Sequence, residues 1–132
     1  MRLIFLILFF YLFGCSYNRE AINERLIDFN YRYISDSDSI YNLKKCERDK
    51  ILNDFVSPKY DTIIYKDNEI YISFLTMATG CSKYKGNVSF SKDTIQLSIF
   101  NTSDESCSEQ NCYRLFYKVS NPDNRKFIIK KP

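Results

Sequence analysis

Residues 62–76, TIIYKDNEIYISFLT, decide the fold, because they read as two strands joined by a tight turn. Successive side chains of a strand point to opposite faces, so Ile70, Ile72 and Phe74 share one side. Asp67-Asn68 separates the two runs and has the chemistry of a two-residue hairpin connection. The stretch therefore predicts an antiparallel hairpin with strands over 62–66 and 69–76.

Two more pairs of alternating runs follow this hairpin. Val88 and Phe90 are expected to pair with Ile95, Leu97 and Ile99 across a turn at Lys92-Asp93. The run from Tyr113 to Val119 then meets the turn residues Asn121 to Asn124, which lead to a last strand over 126–130. Three successive hairpins predict a mainly β fold: an antiparallel meander that forms a small sandwich or an open barrel.

The segment before this β region has a different period. Ile22, Leu26, Phe29 and Tyr33 are spaced as on one helical face, which predicts an amphipathic helix over 17–34. The Ser and Asp residues of a polar break at 35–39 suit a helix N-cap, and a second helical stretch is predicted to follow over 40–55. The predicted organisation is a leader at 1–14, a helical segment at 15–57 and a β domain at 58–132.

The N-terminus has the layout of an export signal. Met1 and Arg2 give a positive start, Leu3 to Phe13 are eleven consecutive apolar or aromatic residues, and Gly14 precedes Cys15. Eleven helical residues cover roughly 16 Å, whereas the hydrocarbon core of a bilayer is about 30 Å thick. The leader is therefore too short for a transmembrane span and is expected to be cleaved.

The end of the leader, Leu12-Phe13-Gly14-Cys15, resembles the lipobox of bacterial lipoproteins. The resemblance implies that Leu12 and Gly14 are recognised by the lipoprotein signal peptidase and that Cys15 becomes the lipidated first residue. It also implies a diacylglyceryl group and an N-acyl chain, which together hold the protein on a membrane. Ser16 favours the outer membrane of the cell envelope over the inner one, and the alternative is a secreted soluble protein cut nearby.

Four further cysteines, Cys46, Cys81, Cys107 and Cys112, would lie in an oxidising compartment after export. Two disulfides are expected, and four cysteines allow three pairings. Cys107 with Cys112 across a short polar loop, and Cys46 with Cys81, are the preferred pairs. In the predicted up-and-down meander, Cys81, Cys107 and Cys112 lie at strand ends on the same edge. Cys81 could therefore pair with either of the other two, and the pairing stays open.

Composition excludes several classes of function. The chain has no histidine, which removes the usual general base and the usual zinc ligand. Its net charge of +3 is too small to indicate a nucleic-acid partner. No metal site, cofactor or catalytic residue is predicted, and the carboxylates of the β region are interpreted as solvated charges: Asp61, Asp67, Glu69, Asp93, Asp104, Glu105 and Glu109.

The β region, with Gly80-Cys81, Lys85-Gly86, the Asp93 hairpin, Cys112 to Val119 and Asn121-Pro122, resembles small β-rich envelope lipoproteins of Gram-negative bacteria. That resemblance implies no known activity. The leading hypothesis is a non-enzymatic, membrane-anchored module that binds an envelope protein or glycan, or has a structural role, through a sheet face or edge strand. The alternative is a lipocalin-like carrier of an apolar ligand, and an envelope hydrolase ranks third.

The lipid attachment gives a direct test. Cys15→Ser should abolish metabolic labelling of the protein with a fatty acid, because the thiol that receives the lipid is gone. Cys46→Ser is the matched control and should label like the wild type. Labelling of the Cys15→Ser variant would show that the lipid is attached elsewhere.

Overall fold

The computed structural model of the protein describes residues 21–34, 61–105 and 110–132. These residues form seven strands: β1 (Leu26–Tyr33), β2 (Thr62–Lys66), β3 (Glu69–Thr79), β4 (Tyr84–Ser91), β5 (Thr94–Asn101), β6 (Gln110–Ser120) and β7 (Ile128–Lys130). The prediction of a mainly β fold is confirmed. The leader at 1–14 and the predicted helix at 40–55 lie outside the described residues.

The strands form two sheets that pack face to face. One sheet has four strands in the order β1-β6-β3-β2, and the other has three in the order β4-β5-β7. Alternate side chains of both sheets point inwards and form one apolar core: Ile70, Ile72, Phe74, Ala78, Val88, Ile95, Leu97, Tyr113, Leu115, Tyr117 and Val119. The architecture is therefore the sandwich rather than the open barrel.

The first two predicted hairpins, those with turns at Asp67-Asn68 and Lys92-Asp93, are present. β2 and β3 pair antiparallel across Asp67 and Asn68, whose φ angles of 54° and 61° give the left-handed turn that matches the strand twist. β4 and β5 pair antiparallel across Lys92-Asp93, where Lys92 has φ 50°. Local turn chemistry and period-two alternation were sufficient to predict both units.

The predicted helix over 17–34 is wrong where the structure describes it, since Leu26–Tyr33 is strand β1. The reason is a register shift between Leu26 and Asp28 in the β1–β6 ladder. An extra residue in a strand changes the phase of its alternation. Leu26 and Phe29 therefore both pack against the core although they are three residues apart, and a bulged strand imitates helical spacing.

The predicted third hairpin is also wrong, and with it the meander. β7 does not pair with β6; it runs parallel to β5 in the other sheet. The physical reason is that β6 lies between β1 and β3, so both of its edges already carry hydrogen bonds. The turn after β6, held by buried Asn121 through hydrogen bonds to Arg125, instead carries the chain across to the smaller sheet.

Asn87 on β4 fixes the point where the described chain begins. Its side-chain Oδ1 accepts a hydrogen bond from the backbone N–H of Asn23 at 2.7 Å, and its Nδ2 donates to the carbonyl of Ala21 at 3.2 Å. Ala21 thereby lies beside Ser89, Gln96 and Ser98, whose positions alternate with the core residues of β4 and β5. The described chain therefore begins on the outer face of the three-stranded sheet.

Gly86 on β4 faces the ring of Phe29 on β1 across the sandwich. A Cβ added at Gly86 would overlap the ring atoms Cδ2, Cγ and Cε2 of Phe29. The Phe29 ring is held in place by an edge contact with Tyr117, with ring centroids 4.9 Å apart. Only glycine lets the two sheets approach this closely at the β1–β4 corner.

Gly86→Ala should therefore destabilise the fold by about 2–3 kcal/mol, the cost typical of forcing extra atoms into a packed core. The measurement is the free energy of unfolding from urea denaturation, with exposed Lys85→Ala on the same strand as the control. In a Phe29→Ala background, the added methyl group should cost less than about 1 kcal/mol, because the ring that it meets is gone. Equal costs in both backgrounds would contradict the proposed contact.

Candidate functional site

Several residues that the sequence singles out lie outside the described residues. These are the lipidation site and its recognition residues, Cys15, Leu12 and Gly14, the disulfide candidates Cys46 and Cys107, and the carboxylate Glu109. The lipid anchor therefore stays a prediction. Among the described residues, no helix is long and apolar enough to cross a membrane.

The two described cysteines differ in exposure. Cys81, exposed just after β3, is disulfide-bonded, and its partner lies outside the described residues. Cys112 is buried, and its preferred pairing with Cys107 stays a prediction, because Cys107 lies outside the described residues. The prediction treated Cys112 as the end of a loop, but β6 begins at Gln110, so Cys112 is a strand residue paired with Met77 of β3.

The candidate carboxylates that the structure describes do not form one cluster. Asp61 forms an ion pair with Lys131 at 2.9 Å, and Asp67 lies 3.5 Å from Lys66 in a turn where both side chains are largely exposed. Across the described residues, no group of three or more His, Cys, Asp or Glu side chains could hold a metal ion. Glu69 contacts Tyr71 and Lys118, which line a surface recess together with Asp28.

That recess is an open groove of about 460 Å³ on the outer face of the four-stranded sheet, hereafter the sheet groove. β3 and β6, the two central strands, supply most of its lining. Since the core takes Ile70, Ile72 and Phe74 from β3, the residues between them point outwards. The same rule turns Arg114, Phe116 and Lys118 of β6 away from the core.

The strand register arranges the outward residues in two cross-strand rows. In the first, Tyr71 stands opposite Lys118, which in turn stands opposite Asp28 of β1. In the second, Thr62 of β2 stands opposite Ser73, and Ser73 stands opposite Phe116. The sheet groove thus combines two aromatic rings with hydroxyl groups and charged groups of both signs.

The outer face has an exposed half around Tyr71 and Phe116 and a more buried half around Leu75 and Cys112, where Met77 is nevertheless 36% exposed. Tyr71 and Phe116 each expose 38% of their surface. Leu75 and Cys112, further along the same strands, expose only 4% and 7%. Arg114 stands opposite Leu75, at the border between the two halves, and its Nη1 lies 3.4 Å from the Ser73 hydroxyl oxygen. The groove therefore has a polar inner end.

Tyr71, Glu69 and Lys118 form a polar network at the outer end of the groove. The Tyr71 hydroxyl donates to Glu69 Oε2 at 2.5 Å, and Lys118 Nζ lies 3.0 Å from Glu69 Oε1. The hydrogen bond from Tyr71, then that from Lys118, lowers the pKa of Glu69. The same two contacts of Glu69 raise the pKa values of Tyr71 and Lys118, because each then holds its proton more firmly.

The sequence did not predict this site. The tyrosines are spread evenly along the chain, so no cluster distinguishes exposed Tyr71 from the buried packing residues Tyr113 and Tyr117. The available signal was the position of these residues in their strands. Tyr71 and Phe116 alternate with apolar core residues, so they lie on the face that is expected to be polar. Exposed rings on two strands form one site only if those strands are neighbours, and the predicted meander did not pair β3 with β6.

Comparison of the chain with protein-family models, with curated proteins and with solved structures finds no significant match. The interpretation of the sheet groove consequently depends on its own geometry and chemistry.

Tyr71→Phe should raise the pKa of the Glu69 carboxyl group towards its ordinary value, because the largest cause of its lowering is removed. The pKa should stay below that value while Lys118 remains in contact. The stabilisation linked to Glu69 is present above pH 4.5 and is lost as the pH falls through its lowered pKa in the folded state.

An NMR pH titration of the Glu69 carboxyl carbon measures this shift directly. Tyr33→Phe, which removes a hydroxyl from an exposed tyrosine outside the groove, should leave the Glu69 titration unchanged. An identical Glu69 titration in wild type and Tyr71→Phe would contradict the network.

Proposed function

We propose that the protein is a lipid-anchored, non-enzymatic binding module of the bacterial cell envelope, tethered through Cys15, whose ligand occupies the sheet groove. One observation carries the binding role: two half-exposed aromatic rings, Tyr71 and Phe116, stand beside hydrogen-bonding groups in a concave recess. Small-ligand sites combine apolar surface with a few polar groups in this way. The outer membrane is the proposed destination, on the basis of the lipobox-like leader and Ser16.

The position of Ala21, the first described residue, is compatible with a membrane tether that leaves the sheet groove open. Ala21 is held on the outer face of the three-stranded sheet, and the sheet groove is on the opposite side of the sandwich. Six residues from Cys15 to Ala21 reach at most about 20 Å. A lipid on Cys15 would thus hold the smaller sheet towards the bilayer and leave the groove open to the envelope space.

The carrier alternative receives less support. An apolar ligand inside the domain needs an enclosed cavity, whereas the described core side chains occupy the space between the two sheets. The described recesses open on the outer faces instead. A hydrolase would need convergent catalytic groups, whereas Asp61, Asp67 and Glu69 lie in three separate ion pairs with lysines.

Photo-crosslinking in intact cells tests the binding role with the full-length, lipidated protein. A benzophenone amino acid replacing Phe116 should yield a discrete adduct on illumination. The same crosslinker replacing Asp123, exposed in the turn after β6, should not. Absence of an adduct at 116, or equal adducts at both positions, would contradict a site in the groove.

The ring of Tyr71 provides a second criterion. Tyr71→Ser should reduce the adduct at 116 by roughly 5- to 30-fold, the effect of losing about 1–2 kcal/mol of binding free energy at an aromatic contact. Tyr33→Ser is the matched control, because Tyr33 is more exposed than Tyr71 and lies outside the groove. An adduct that is unaffected by Tyr71→Ser would mean that the ring takes no part in binding.

A further inference from the structure

The backbone around the sheet groove limits the kinds of ligand that it can recognise. β3 is hydrogen-bonded to β2 and β6, and β6 is hydrogen-bonded to β1 and β3. A ligand on this face therefore meets side chains, and it cannot be bound as an added strand through main-chain hydrogen bonds. This disfavours an extended peptide and favours a ligand with its own polar edges and apolar faces.

The two rings of the groove are placed to contact successive units of such a ligand. Tyr71 pairs with Lys118, and Phe116 is two residues from Lys118 on the same face of β6. Diagonal neighbours of this kind in an antiparallel pair lie about 7–8 Å apart. An aromatic ring provides a large, rigid apolar surface, and tyrosine adds a polar tip.

The polar lining offers both hydrogen-bond donors and acceptors. Arg114 provides donors at the inner end, next to the hydroxyl of Ser73. Asp28 provides acceptors at the β1 side, and the hydroxyl of Thr62 serves as either at the β2 side. A ligand that carries hydroxyl groups around its rim can use both kinds of partner.

The charges of the groove are close to balanced. The ammonium group of Lys118 is matched by the carboxylate of Glu69 at 3.0 Å. Asp28 and Arg114 bring one charge of each sign to the lining. A strongly anionic or cationic ligand therefore gains no electrostatic advantage, whereas a neutral polar ligand avoids the cost of burying an unmatched charge.

We infer that the ligand of the sheet groove is a neutral glycan, with the apolar faces of successive sugar rings on Tyr71 and Phe116 and their hydroxyl groups bonded to Asp28, Ser73 and Arg114. This inference rests on the proposed binding function and names its ligand class. Sugars unite apolar C–H faces with hydroxyl rims, which is the combination that the lining presents.

The test uses the adduct formed in cells with the benzophenone amino acid at position 116. Acid hydrolysis of the purified adduct should release hexose or hexosamine. Mild periodate treatment of the cells before illumination, which cleaves the vicinal diols of sugars, should reduce adduct formation at least fivefold. Asp28→Asn, which keeps the side-chain shape but removes one strong acceptor, should reduce it roughly 3- to 10-fold.

The outcomes separate the two proposals. An adduct that depends on Tyr71, contains amino acids of another protein but no sugar, and survives periodate would overturn the glycan inference and leave the binding function standing. Absence of any groove-dependent adduct would overturn both proposals. An Asp28→Asn variant that folds normally by circular dichroism yet crosslinks like the wild type would remove Asp28 from the site.

Discussion

The structure depends on the position of β6 between β1 and β3. Its inward side chains Leu115, Tyr117 and Val119 are almost completely buried and lie at the centre of the core. Both edges of the strand are used, by eleven paired positions with β3 and seven with β1. This double pairing joins β1 and β3 in one sheet, so the N-terminal strand is bonded to the C-terminal half of the chain. Because no edge of β6 is left, β7 pairs in the other sheet. The burial raises the pKa of Tyr117, whose hydroxyl donates to the carbonyl of Ser98 across the sandwich.

What the sequence predicted correctly was local. The Asp67-Asn68 and Lys92-Asp93 turns and the alternation around them predict two hairpins, because turn chemistry and strand period are properties of a short stretch. The errors were non-local. A third hairpin can form only if an edge of β6 is available. That edge is paired with β1, and the residues near Asn121 give no sign of this distant pairing.

The first strand shows how a local pattern can mislead. A helix and a bulged strand both place apolar residues three apart on one side, so the spacing of Leu26 and Phe29 does not distinguish them. The discriminating signal was the continuation Phe29, Tyr31, Tyr33, which alternates with period two and is rich in aromatic residues that favour strands. The sheet groove was hidden for a related reason: its rings lie 45 positions apart in the chain, and only the β3–β6 register makes them neighbours.

The alternation of β3 and β6 also separates the side chains of the core from those that line the sheet groove. Each strand places its core residues on one face and its groove residues on the other, so the two sets of side chains do not compete for the same space. Truncating Phe116 removes a half-exposed ring and costs little folding energy, whereas truncating its neighbour Tyr117 removes a core residue. Substitutions at outward positions should therefore cost less stability than substitutions at the inward ones, which are constrained by packing. The packing of the core therefore does not explain the half-exposed rings of Tyr71 and Phe116, and the proposed binding role of the sheet groove gives both a reason.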